Sequence, residues 1–251
     1  MSYITITDRG DGFGAQLQHI LFGLLYSEAH GLTYIHKPIS AMEHNYSGDL
    51  GFIDKIEDFL GLRDNYLSVG QVDRYDVVTF WPLYNFVSTN FSRLFSESKA
   101  LLYYKQVFWK NKRGFYDKAA SSSLHSPTKK YIAVHIRRPN ICDNRIDGAD
   151  TPDSYYLERI AKLREEYGGS AEFHIYSQGP IEMFQEFCHK DIVLHLDLEL
   201  CATFLGLVSA DILVTSRSAL SYSAAMLTDG IVYFIGLGPL NPCSDRWILC
   251  E

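Results

Sequence analysis

The chain has 251 residues, a formal net charge of −7 and 47% hydrophobic residues, including 17 Tyr and 15 Phe. That is enough for one large or two small packed domains at roughly 100–200 residues each. The acidic balance excludes a general nucleic-acid binder, whose footprint is a basic surface.

The N-terminal stretch MSYITITDRGDGFG has no signal-peptide pattern, and no apolar run reaches the ~18 residues of a membrane helix. The cysteines (Cys142, Cys188, Cys201, Cys243, Cys250) are widely spaced, form no CxxC pair, and offer only Cys243 with Cys250 as a close pair. Reduced thiols, a cytoplasmic setting and no metal site are expected.

In chain order, YITIT (3–7) reads as a strand, and the turn DRGDGFG leads into the helix AQLQHILFGLLYSEAHG. LTYIHKPI (32–39) and YDVVTFW (75–81) read as strands, FIDKIEDFLGL (52–62) and SESKALLYYKQVFWKNK (96–112) as helices. The Ser-rich AASSSLHSPTKK (119–130) reads as a linker.

Beyond it, strands at YIAVHI (131–136), AEFHIYS (171–177), DIVLHLDL (191–198), DILVTS (211–216) and GIVYFIG (230–236) alternate with helical segments. Those helices are DSYYLERIAKLREEYG (153–168), PIEMFQEFCH (180–189) with Pro180 in its first turn, ATFLGLVSA (202–210) and ALSYSAAMLTD (219–229). Such alternation predicts an α/β protein with a parallel sheet covered on both faces. The C-terminal half reads as doubly wound, a design in which ligands bind beyond the carboxyl ends of the strands. The expected domains are 1–125 and 126–251, two α/β halves facing a cleft.

Four features fall at strand ends. In GDGFGAQLQH (10–19), Gly12 and Gly14 would let backbone N–H groups approach a phosphate at a helix N-terminus; the plainer reading is a tight turn. In HIRRPN, His135 and Arg137 share one strand face and Arg138 takes the other. An arginine there can clamp a phosphate bidentately; otherwise this is a solvated strand end. Ser216 and Ser218 lie between a strand and a helix, able to line an anion site or simply to cap the helix. The acidic loop NICDNRIDGADTPDS holds Asp143, Asp147, Asp150 and Asp153. A carboxylate near an acceptor hydroxyl can serve as general base. Asp150 or Asp153 is expected to cap the next helix, leaving Asp147 and Asp143 freer.

GDGFGAQLQHILFGLLYSEAHGLTYI resembles the N-terminal glycine motif of α1,6-fucosyltransferases. HIRRPN resembles the His-x-Arg-Arg motif of α1,2-, α1,6- and protein O-fucosyltransferases, and SADILVTSRSALSYSAAML resembles that superfamily's third motif. Residues 40–130 show no such resemblance. The resemblance implies a GT-B-like fold with two Rossmann-like domains, residues 1–125 forming the acceptor side and 126–251 the nucleotide-sugar side. It implies metal-independent inverting transfer from a nucleotide-sugar donor, with no cofactor and a glycan or glycoconjugate acceptor. Arg137, or both arginines, would bind the β-phosphate. Gly12 and Gly14 would close over the phosphates, with Ser177, Ser216 and Ser218 also on the donor side, and His135 would sit near the nucleoside. The base aligns with Asp147 counting back from Pro152, or near Arg145 counting forward from His135; the Asp usual at the end of the arginine motif is Asn140 here.

Asp197 and Glu199, at the end of the third C-terminal strand, are the candidates for a carboxylate that would read guanine. If neither does, the donor is a UDP- or other NDP-sugar such as UDP-xylose rather than GDP-fucose. Asp197-Leu198-Glu199 also reads as a degenerate metal motif of another glycosyltransferase fold, and a non-catalytic sugar- or nucleotide-binding module is the alternative outside enzymes. A dinucleotide oxidoreductase fits poorly, because the first turn reads GDGFGA and lacks a clean GxGxxG.

Overall fold

The computed structural model describes residues 2–43, 45, 48–110, 112, 128–138, 151–236 and 245–250. They fall into two compact units, one within Met1–Gly114 and the other within Phe115–Gly238 with Asp245–Glu251.

The first unit holds a parallel sheet of order β2-β1-β3, from β1 (Tyr3–Ile6), β2 (Thr33–Tyr34) and β3 (Asp76–Val78). Helix α1 (Phe13–Ala29) follows β1 and is apolar nearly all round, so it is a core helix rather than a surface one. It packs against α4 (Phe80–Glu97) and α5 (Lys99–Lys110). Burying Leu17, Leu21, Leu24 and Leu25 contributes roughly 1.5–3 kcal/mol each. Helices α2 (Phe52–Leu60) and α3 (Leu62–Asn65) replace the single expected helix 52–62, because Gly61 adopts φ +69° and ends the first of them.

Two sequence expectations change here. The strand expected over 75–81 stops at Val78, and α4 begins at Phe80. Pro82 lies in the first helical turn, where a missing N–H costs nothing. Leu83, Val87, Phe91 and Phe95 then bury one stripe of α4. The strand expected over 32–39 pairs only at Thr33–Tyr34, followed by a single bridge from His36 to Ser68. The fully buried Glu57 reorganises this segment: it accepts from Ile39 N at 2.6 Å and lies 2.9 Å from His36 Nε2.

The second unit holds a six-stranded parallel sheet from β4 (Lys130–His135), β5 (Ala171–Ser177), β6 (Ile192–Leu196), β7 (Ile212–Val214), β8 (Ile231–Ile235) and β9 (Trp247–Cys250). Its order is β6-β5-β4-β7-β8-β9. Numbered from β4, that is 3-2-1-4-5-6, the order of the dinucleotide-binding doubly wound fold. One sheet face (Ile132, Val134, Phe173, Ile175, Ile212, Val214) shares a core with Tyr155, Tyr156, Ile160 and Leu163 of α6 (Asp153–Tyr167). Helix α7 (Leu200–Val208) packs on β4 and β5 and also against α8 (Ala219–Leu227). Tyr131 reaches α7 from the opposite sheet face, donating to the Gly206 carbonyl at 3.0 Å. At Gly206 a Cβ would lie 2.3 Å from the Tyr176 ring, so only glycine allows this helix to come so near the sheet.

The segment expected as a helix over 180–189 is a 3-10 stretch, Ile181–Phe187, with a non-helical Phe184 and Pro180 at its N-cap. Strand β9 is an addition; Trp247 and Cys250 point in while Ile248 and Leu249 stay exposed. The linker expected over 119–130 falls largely outside the described residues, and β4 opens at Lys130, its last residue.

Candidate functional site

In the second sheet the chain runs outward from β4 in one direction and from β7 in the other. The reversal point lies between these neighbouring strands, and two of the motifs read from the sequence sit at their carboxyl ends. His135 closes β4, followed by Ile136, Arg137 and Arg138. Thr215, Ser216, Arg217 and Ser218 follow β7 and open α8.

The two strand ends are tied together. His135 Nδ1 lies 3.0 Å from Ser216 Oγ, and Ser216 N donates to Ser221 Oγ at 3.2 Å. Burial first, and the adjacent Arg137 second, lower the His135 pKa from 6.5 to about 3, so the ring is neutral. Ser218 is the N-cap of α8, accepting from Leu220 N at 3.3 Å. Ser216 and Ser218 are both buried, so their hydroxyls build the corner from inside. Below it, the buried Tyr156 phenol of α6 is raised to about 12 by burial, against the opposing pull of Thr151, Ser216 and the Arg137 backbone.

The adjacent arginines differ. Arg138 forms a forked ion pair with Asp153 at 2.6 and 2.9 Å, donates to the Met183 carbonyl at 3.2 Å and lies 5.0 Å over the Phe184 ring. Asp153 therefore anchors this arginine instead of capping the helix, whose N-cap is Pro152. Arg137 is partly exposed at the strand end. Arg217 is the residue that sequence reasoning passed over. It is a second partly exposed cation, at the end of β7, and its backbone N–H donates to Thr151 Oγ1 at 3.2 Å. Its place directly before the N-cap of α8 was the available signal.

The remaining donor-side candidates lie around this corner or beyond it. Ser177 Oγ donates to the Ile136 carbonyl at 2.7 Å, fixing the end of β5 to that of β4. Asp197, with φ +54°, accepts from Gly179 N at 3.1 Å, and Glu199 is exposed at the N-cap position of α7. Both follow β6, the outermost strand on that side. Gly12 is the N-cap of α1 and Gly14 lies in its first turn, both in the first unit. Asp143 and Asp147 lie outside the described residues, as do Asn140, Arg145 and Asp150. Among the described residues no cluster of three His, Cys, Asp or Glu could hold a metal ion, and no helix is long and apolar enough to cross a membrane.

The arrangement belongs to a class: a doubly wound α/β unit with cationic and hydroxyl side chains at its switch point. No protein-family model matches the chain, and no curated protein does. Among solved structures it is similar to fucosyltransferase NodZ from Bradyrhizobium (13% identity, TM-score 0.48, 91% of this chain and 94% of that one). It is also similar to POFUT1 in complex with GDP (13%, TM-score 0.49, 99% and 98%), and to the E. coli heptosyltransferase WaaC with ADP (12%, TM-score 0.46, 100% and 93%). At TM-scores below 0.5 none of these says what this chain binds or does.

Proposed function

We propose that the second unit binds the diphosphate of a nucleotide-sugar at the β4/β7 switch point, and that the chain transfers the sugar to a glycan hydroxyl. One observation carries this reading: the reversal of the 3-2-1-4-5-6 strand order brings the arginine motif and the serine corner to adjacent strand ends. Open α/β sheets bind ligands at that point. Arg137 supplies a planar fork, charged at any working pH, that matches a phosphate; Arg217 adds a second cation from the opposite strand. The N-terminus of α8 adds partial positive charge.

In the reaction, the acceptor oxygen bonds to the anomeric carbon as the bond to the β-phosphate breaks. The electron pair leaves on the diphosphate and the acceptor proton passes to a base. Arg137 stabilises the departing diphosphate where charge develops. That requires no metal ion. His135 acts as a neutral orienter of Ser216, and Asp147 is the base, with Asp143 next in line. GDP-fucose is the favoured donor, on the sequence resemblance. Residues 126–251 form the donor domain and residues 1–125 the acceptor side.

A thermal-shift panel of GDP-fucose, GDP, UDP-xylose and UDP tests this. A ligand that binds only the native state adds about 2.7 kcal/mol at a hundredfold excess over its Kd. The GDP pair is expected to raise Tm. A UDP response would move the donor to a UDP-sugar, and silence from all four would overturn the reading. With the donor fixed, nucleotide release in EDTA separates an enzyme from a binder. Asp147→Asn is expected to slow release by about 10²–10⁴-fold while leaving the nucleotide shift intact.

A further inference from the structure

Helix α6 meets the switch-point corner with two side chains one turn apart. Asp153 holds the Arg138 guanidinium in a fork. Tyr156, three residues on, lies on the same face of the helix. Its ring is fully buried and shares a core with Val134 of β4, Ile136 just beyond that strand and Val214 of β7. The phenol is thus seated beneath both strand ends that carry the site.

The Tyr156 hydroxyl faces the Thr151 and Ser216 side chains and the Arg137 backbone. Thr151 Oγ1 accepts from the backbone N–H of Arg217 at 3.2 Å, and Ser216 Oγ lies 3.0 Å from His135 Nδ1. One hydroxyl therefore stands between the backbone anchors of the two partly exposed cations, Arg137 and Arg217. Yet it forms no hydrogen bond within the protein, although the residue is wholly buried. An unpaired buried hydroxyl is costly, and native proteins keep few of them.

Burial raises the phenol pKa to about 12, so the group stays protonated and can donate. The two neighbouring hydroxyl oxygens can accept. An anion gripped by both guanidinium groups draws them together, and a small shift of either backbone brings a partner within reach of the phenol. We propose that Tyr156 is a positioning residue of the donor site: its hydroxyl closes a hydrogen bond to these anchors when a diphosphate binds, and so sets the spacing of Arg137 and Arg217. This role rests on the diphosphate site proposed above. A bond made only in the bound state adds to affinity and not to the stability of the free protein.

The test is Tyr156→Phe, which keeps the ring and removes only the hydroxyl. Wild type and variant are compared in urea melts without ligand and in calorimetric titrations with GDP, UDP and inorganic pyrophosphate. The urea midpoint of the variant is expected to equal or exceed that of wild type, because an unpaired buried hydroxyl has been removed. Affinity for each ligand that wild type binds is expected to fall about tenfold, the worth of one hydrogen bond. In an Arg217→Ala background the same substitution should change affinity by less than about threefold, since one cation alone has no spacing to set. A lowered urea midpoint, an affinity within about threefold of wild type, or a tenfold loss that persists without Arg217 would each overturn the inference. If wild type binds none of the three ligands, the diphosphate site falls and this role with it. If wild type binds and Tyr156→Phe binds equally, only the role of Tyr156 falls.

Discussion

The two sheets share a design and differ at their carboxyl edges. Each is parallel, and each reverses its strand order beside a strand followed by a helix. Beyond the reversal of the second sheet stand Arg137 and Arg217, partly exposed, with buried serines behind them. Beyond that of the first, Arg9 pairs with Asp11 and Lys37 with Asp8, and a tryptophan is exposed. Each edge is backed by one buried, neutral histidine, His135 in the second unit and His19 in the first. The same topology thus carries different side chains at its two edges, arginines and buried serines at one, carboxylate-paired cations and an exposed indole at the other. The side chains, not the fold, make that difference.

The largest expected effect that could break this contrast is at Arg137. Arg137→Ala should lower nucleotide affinity by about 100-fold or more, since a charge-assisted forked contact is lost. Arg137→Lys should recover only part of it, because lysine keeps the charge without the planar fork. Calorimetric titration with GDP measures both.

Arg138→Ala should behave differently although it is the next residue. Its fork is committed to Asp153 in a part-buried setting, so the loss should appear as about 2 kcal/mol of stability. Nucleotide affinity should stay within about threefold. Urea denaturation read alongside the GDP titration separates the two residues; equal loss of affinity in both variants would make the pair a joint clamp.

A smaller effect is set by pH. His135 and His19 are held neutral when folded, down to about 3 and about 4 respectively. The unfolded rings protonate below their ordinary 6.5, so this stability is complete above pH 6.5 and is lost as the pH falls. Below 6.5 each histidine should remove about 1.4 kcal/mol per pH unit until its folded pKa is reached. His135→Asn, whose amide can still meet Ser216, should narrow its stability gap to wild type between pH 7 and 5. A constant gap in urea melts across that range would contradict the assignment.

Much of the second unit was legible because buried parallel strands announce themselves as short apolar runs between helices. YIAVHI, AEFHIYS and GIVYFIG each carry a strand. What the pattern did not reveal was the strand order, and the order is what brings His135 to Ser216. Helix α4 was missed because FWPLYNFVSTNFSRLFSE is rich in aromatic, Ser and Asn residues of modest helix propensity. Its fourfold spacing of Leu83, Val87, Phe91 and Phe95 was the usable signal. Strand β9, four residues with an exposed centre, gave too short a period to read. That neighbouring strand residues point to opposite faces was legible, but the partner of Arg138 is 15 residues away in sequence, beyond the reach of local pattern. Trp81 read as the end of a strand only because the break at Thr79 was not seen.

A structure of the chain with bound GDP tests the central claim most directly. The account predicts phosphate oxygens within hydrogen-bond reach of the Arg137 guanidinium, at the opening between β4 and β7. Nucleotide bound elsewhere, with Arg137 turned to bulk solvent, would contradict it.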